Sequence, residues 1–179
     1  MKPVLFLDFD RTLFDTDQFY DWMGPNRFER ILELVGGHIE QPDYASYLYP
    51  DVVSFLKKVR KSHRIVILSF ALNLILQRKK LRGSGILPLV DDVIISEGKD
   101  GMTGKGGAAK EYLARIGDPG WEHVFVDDLP DNINEVKTMN PDIRCIRIDR
   151  KSMTQGMLQG DMLQPDAVVK NLTELENIL

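Results

Sequence analysis

Val4-Leu5-Phe6-Leu7-Asp8-Phe9-Asp10-Arg11-Thr12 carries an apolar run straight into two carboxylates two residues apart. Unbroken apolar character over so few residues fits a strand covered on both faces, as in a parallel sheet, better than an alternating half-buried strand. The run is too short for a signal-peptide core, and Asp8 and Asp10 interrupt it at once. Comparable runs recur at Arg64–Leu68, Val93–Ile95, His123–Val126 and Ile143–Ile148, which predicts five strands. The last, with its arginines, reads as an edge strand. Helical periodicity fills the gaps. Pro50 and Asp51 open a segment to Lys61 with Val52, Val53, Leu56 and Val59 on one face, and residues 71–82, 105–116 and 131–139 behave similarly. A last helix over 171–178 starts at Asn171, with Glu174 and Glu176 in its first turns. Strand and helix alternate throughout, so the expected fold is α/β: a doubly wound, Rossmann-like parallel sheet of five strands.

The chain's 179 residues suit one domain with room for a small insertion. That insertion is expected at residues 14–49, where helical spacing at Arg27–Val35 ends in Gly36-Gly37 and the strand–helix beat is broken. It carries Tyr20, Trp22, Tyr44, Tyr47 and Tyr49, whose simplest role is to pack it onto the core. The expected division is therefore a core of residues 1–13 and 50–179 with a small, mostly helical cap between. A net charge of -4 gives no general attraction for nucleic acid or anionic membrane, and neither partner is expected. No apolar stretch reaches membrane-spanning length. The single cysteine, Cys145, allows no intrachain disulfide and reads as a buried thiol. A cytoplasmic monomer or homodimer is the default expectation. His38, His63 and His123 lack metal-ligand spacing and read as ordinary surface or turn residues.

Chemistry gathers where the predicted strands end, the place at which open α/β sheets bind ligands. Asp8 and Asp10 project to the same side if the backbone stays extended, and two close carboxylates repel unless a cation lies between them. Asp127 and Asp128 end the fourth strand, and carboxylate oxygens are the donors that a hard cation such as Mg²⁺ selects. Ser69 ends the second strand, and a helix is expected just after it, offering a hydroxyl and free N–H groups to an anion. Each piece alone also fits a solvated turn; the ordered conjunction favours a site.

These residues resemble the haloacid dehalogenase superfamily, specifically its phosphatase branch. The resemblance rests on Asp8-Phe9-Asp10-Arg11-Thr12 after an apolar strand, on Ser69 ending the next strand, on a lysine at a helix start, and on Asp127-Asp128 ending a later strand. The lysine is placed at Lys105, with Lys99 and Lys110 as alternatives, and Asn132 stands where many relatives have a further Asp. A glycine commonly stands where this chain has Arg11. The resemblance spans residues 3 to about 149 and implies a Mg²⁺-dependent phosphatase. Asp8 is then the nucleophile forming an aspartyl phosphate, and Asp10 the proton donor and acceptor. Asp8, the Asp10 backbone carbonyl and Asp128 hold the metal, Ser69 and Lys105 hold the phosphoryl oxygens, and Asp127 or Asn132 tunes the metal's water. The implied substrate is a small-molecule phosphate ester, a phosphorylated metabolite or a nucleotide, with Arg11, Tyr20 and Trp22 as contacts beyond the phosphate. Alternatives on the same fold are a phosphate-binding module with weak turnover and a phosphotransferase. A P-loop is ruled out because Gly106, not Ser or Thr, follows Lys105 and Lys99 stands where the motif needs glycine.

Overall fold

A computed structural model describes residues 2–96, 104–117, 120–151 and 163–179. Strands β1 (Val4–Leu7), β2 (Arg64–Phe70), β3 (Asp92–Ser96), β4 (Val124–Asp127), β5 (Arg144–Ile148) and β6 (Ala167–Val169) form one sheet in the order β3-β2-β1-β4-β5-β6. All the pairings are parallel. Parallel neighbours need crossovers, and these are supplied by α3 (Val52–Val59), α4 (Leu74–Gly83), α5 (Lys105–Ile116) and α6 (Pro130–Met139), with α7 (Leu172–Glu176) closing the chain. Side chains of β1 alternate between two buried clusters. Leu5 and Leu7 join the larger cluster, with Phe55, Leu56 and Leu172, while Val4 and Phe6 join Ala109, Tyr112 and Ile133 on the opposite face. Helices therefore cover both faces, as the unbroken apolar strands require.

The sheet has six strands among the described residues, one more than expected, and this moves the edge. Ala167–Val169 pairs with Ile146–Ile148, so β5 is an interior strand. Its arginines do not mark solvent: the Arg144 guanidinium donates to the Ile178 carbonyl (2.7 Å), and Arg147, 9% exposed, pairs with Asp149 (3.3 Å). The helix expected at 71–82 starts later. Strand β2 runs past Ser69 to Phe70, the Ala71 amide donates to the Ser96 carbonyl (3.0 Å), and the Asn73 side chain caps the helix by accepting from the Leu76 amide (3.0 Å). Ser69 thus lies inside a strand, with no helix N-terminus directly behind it. His63 and His123 are buried rather than superficial, and His123 Nδ1 accepts the Val4 amide at the start of β1 (2.9 Å). Cys145 is buried and free, as expected. No helix among the described residues is long and apolar enough to cross a membrane.

The two ends of the segment at residues 14–49 meet at one narrow neck. Phe14 bridges Leu48, the Asp15 amide donates to the Tyr47 carbonyl (2.7 Å), and the Tyr49 amide donates to the Leu13 carbonyl (3.1 Å). Beyond the neck stand α1 (Thr16–Met23), α2 (Arg27–Gly36) and a short 3-10 turn at Tyr44–Tyr47. Helix α2 ends as its glycines predict, with Gly37 at φ 76 accepting the left-handed turn that a side chain disfavours. Phe14, Phe19, Met23, Leu34, Tyr44 and Tyr47 are buried in the same cluster as the sheet's inner face. Phe19 lies at the centre, with ring centroids 5.4 Å from Tyr47, 5.6 Å from Phe14 and 5.9 Å from Trp22.

Candidate active site

Parallel strands put their carboxyl ends on one side, and β1 lies between β2 and β4, so residues ending these three strands converge. The Asp8 amide continues the ladder by donating to Val126 (2.9 Å), which fixes the Asp8 side chain beside the end of β4. Carboxylate oxygens of Asp8, Asp127 and Asp128 lie within 4.8 Å of one another, the first two buried and the third half-buried. The Lys105 ammonium reaches between the strands, donating to Asp8 (2.5 Å) and to Asp127 (2.6 Å). Lys105 is the first residue of α5, and the local sequence holds that turn in place. The Gly106 amide donates to the Glu135 carboxylate of α6 (3.0 Å), Asn140 donates to the Gly106 carbonyl (2.8 Å), and a side chain at Gly104 would collide with that same carboxylate. Of the lysines left open by sequence that are among the described residues, Lys105 is the one at the carboxylates. Lys110 is exposed further along α5, and Lys99 lies outside the described residues.

Asp127 is saturated with donors: the Leu129 amide (2.9 Å), both oxygens contacted by the Asn132 amide (2.9 and 3.0 Å), and Lys105. Asn132 therefore acts on the carboxylate of Asp127 from one turn into α6. The electrostatics follow from burial. Loss of water pushes Asp8 well above the ordinary carboxylate range; Lys105 pulls it back, while Asp127, Asp128 and Asp10 push it further up. Burial and the neighbouring Asp127 push Asp128 up to about 7. Burial works against the Lys105 ammonium, but Asp127 and Asp8 outweigh it and hold that group above its usual value. Three acids crowded around one amine would, once ionised, carry an excess of negative charge that a divalent cation relieves, and all three offer the oxygen donors a hard cation takes.

Asp10 does not share these partners. Its side chain turns toward α4 and α1, where the Lys80 ammonium and the Thr16 hydroxyl (2.5 Å) donate to Oδ1 and the Gln77 amide (2.7 Å) donates to Oδ2. Burial alone would raise the group, but the charge of Lys80 and these hydrogen bonds hold it below the ordinary range. Gln77 also donates to Ser69 Oγ (2.9 Å), so Ser69 and Asp10 share one amide. Neither Lys80 nor Gln77 stood out in the sequence; the available signal was two polar residues one turn apart, flanked by Leu76 and Leu81 on the buried face of α4.

Arg11 directly follows the two motif acids at φ 59, the left-handed conformation that glycine enters freely and other residues rarely adopt. Its guanidinium pairs with Asp17 (3.0 Å) beside a hollow of about 150 Å³ that also touches Asp128, Tyr49 and Arg150. Arg150 braces the loop from behind by donating twice to the Thr12 carbonyl (2.8 and 3.2 Å) and once to Asp51 (2.8 Å). Tyr20 is half-buried within electrostatic reach of Asp10 and Arg11, and the Arg27 guanidinium lies over its ring (5.3 Å). Trp22 instead packs on Phe19, with Arg30 over its face (5.1 Å).

Solved structures match this arrangement along nearly its whole length. A protein described as a haloacid dehalogenase-like hydrolase from Burkholderia xenovorans superimposes with a TM-score of 0.75 at 17% identity, covering 99% of this chain and 97% of its own. The chain has the haloacid dehalogenase-like fold. A HAD phosphatase from Thermococcus onnurineus (TM-score 0.65, 21% identity, 99% and 97% covered) is also similar. So is an L-2-haloacid dehalogenase from Xanthobacter autotrophicus (TM-score 0.66, 17% identity, 99% and 98% covered). No family model and no curated protein sequence matches the chain. At these identities the likeness is one of fold, and it spans proteins described as phosphatases and as dehalogenases alike.

Proposed function

We propose that the chain is a Mg²⁺-dependent phosphohydrolase acting on small phosphate esters through a phosphoryl group carried on Asp8. The observation that carries the reading is the meeting of Asp8, Asp127 and Asp128 around Lys105 at the strand ends. Asp8, Asp128 and the Asp10 carbonyl would hold the ion, with Asp127 and Asn132 behind them. When bound, it supplies charge neutralisation and Lewis acidity at the phosphoryl group. In the first half-reaction an Asp8 oxygen forms a bond to phosphorus as the ester P–O bond breaks. The electron pair leaves with the departing oxygen, and Asp10, ionised in the free protein by Lys80, Thr16 and Gln77, first takes a proton from solvent and then gives it to that oxygen. In the second, water attacks phosphorus, Asp10 takes its proton, and the P–O bond to Asp8 breaks to release phosphate and restore both acids. Lys105 holds phosphoryl oxygens as their charge redistributes. Ser69 joins it, because an oxygen that accepts from Gln77 still has its own hydrogen to donate.

Fold likeness alone leaves carbon–halogen cleavage open, but the residues argue against it. A halide departs without a proton and a displacement at carbon needs no divalent ion, so Asp8 alone would have a task, and Asp10 and Asp128 would have none. Residues 14–49 serve in this reading as a small cap, with Arg11 and Tyr20 at the mouth and Trp22 as packing beneath. A panel of phosphate esters with Mg²⁺ tests the proposal. Turnover that disappears with chelator and returns with added metal is expected; turnover indifferent to chelation contradicts the metal role.

A further inference from the structure

The buried cation of α4 has no task in the steps above. Lys80 is 3% exposed, and the Phe9, Phe14 and Phe19 rings surround its ammonium, with centroids 5.6, 5.1 and 5.9 Å away. Its one carboxylate partner among the described residues is Asp10. Removing an ammonium and a carboxylate from water costs about as much as their attraction returns, and an apolar side chain would suit three phenyl rings at least as well. Stability is therefore a poor account of this lysine. Geometry gives a better one. Asp10 Oδ1 takes Lys80 and Thr16 while Oδ2 takes Gln77, so donors from α4 and from α1 fix the carboxylate at both oxygens. The same Gln77 amide sets the Ser69 hydroxyl, whose hydrogen must point away from the donor it accepts.

We infer that Lys80 is a positioning residue for proton transfer: with Gln77 it holds the Asp10 carboxyl at the leaving-group oxygen and aligns Ser69 on the phosphoryl group. The inference rests on the phosphohydrolase reading. Lys80 keeps its own protons throughout; the proton that reaches the leaving oxygen is one that Asp10 has taken up from solvent. A group that leaves well unaided gains little from a well-placed acid, whereas a poor leaving group depends on it, because general acid catalysis contributes about 10²–10⁴-fold.

The test compares p-nitrophenyl phosphate with phenyl phosphate, esters of similar shape that differ mainly in leaving-group basicity, in the metal-loaded full chain. Lys80→Met is expected to lower kcat for phenyl phosphate by about 30-fold or more and for p-nitrophenyl phosphate by less than about fivefold, with KM changing less than about threefold for either. Gln77→Met is expected to move the same ratio in the same direction, and it carries the comparison if Lys80→Met fails to fold. An unchanged ratio between the esters, whether both rates fall together or neither falls, or a ratio that moves the other way because Asp10 takes up a proton more readily without the ammonium, overturns the positioning role while leaving the phosphohydrolase reading intact. A wild-type chain with no metal-dependent turnover of either ester overturns that reading, and this inference with it.

Discussion

Asp128 shows how the site's charge should answer to pH. Its carboxyl is pushed up to about 7 and that of Asp8 is pushed up as well, so in the metal-free protein both favour the fold most while protonated. For Asp128 that contribution is full below the ordinary carboxylate range and is lost as pH rises through about 7. Cation binding needs the ionised forms, so its pH dependence runs the other way. Mg²⁺ affinity is expected to rise by about tenfold or more between about pH 5 and about pH 8, with protons released on binding. Calorimetric titration in two buffers of different ionisation enthalpy measures both, and an affinity flat across that range would contradict the carboxylate site. Asp8, Ser69, Asp127 and Asp128 stood out in the sequence because each ends an apolar run, whereas Lys105, at a helix start, stood beside Lys99 and Lys110 as alternatives. Lys80 did not stand out, since it follows Gln77-Arg78-Lys79, where a rotation by one residue decides which cation is buried. Arg11 was legible as a departure but not as a backbone conformation, because its positive φ belongs to the loop that Arg150 braces across a long sequence separation.

Elements meet closely where side chains are missing. The ring of Tyr44 lies against Gly83 at the end of α4, where an added methyl group would overlap it. Gly83→Ala is therefore expected to destabilise the protein by about 1–3 kcal/mol through overpacking between α4 and the Tyr44–Tyr47 turn. Urea unfolding measures this; a variant as stable as the parent would mean the turn does not pack there. Periodicity located the helices well because their apolar faces repeat. It failed at boundaries and edges. The start of α4 is set by the Asn73 cap and by the Ala71 amide pairing across to Ser96, neither of which alters the apolar pattern. Strand β6 is three residues long, too short for alternation to register, and it turned an expected edge into an interior strand.

At the scale of the whole molecule, the order β3-β2-β1-β4-β5-β6 does the assembling, since it brings residues from β1, β2 and β4 to one side although the chain separates them widely. The α/β class was visible in the sequence. That the aromatic residues at 14–49 pack onto the core was expected from their density; what was not visible is that the segment lends Thr16 to Asp10. Contacts of that kind join distant stretches and leave no local periodic trace. The central claim is that Asp8 carries the phosphoryl group, and mass spectrometry of acid-quenched protein turning over p-nitrophenyl phosphate with Mg²⁺ tests it most directly. One added phosphoryl group on the peptide containing Asp8, absent with chelator and absent in Asp8→Asn, is the result expected. Turnover without that adduct in the parent, or full turnover in Asp8→Asn, would contradict it.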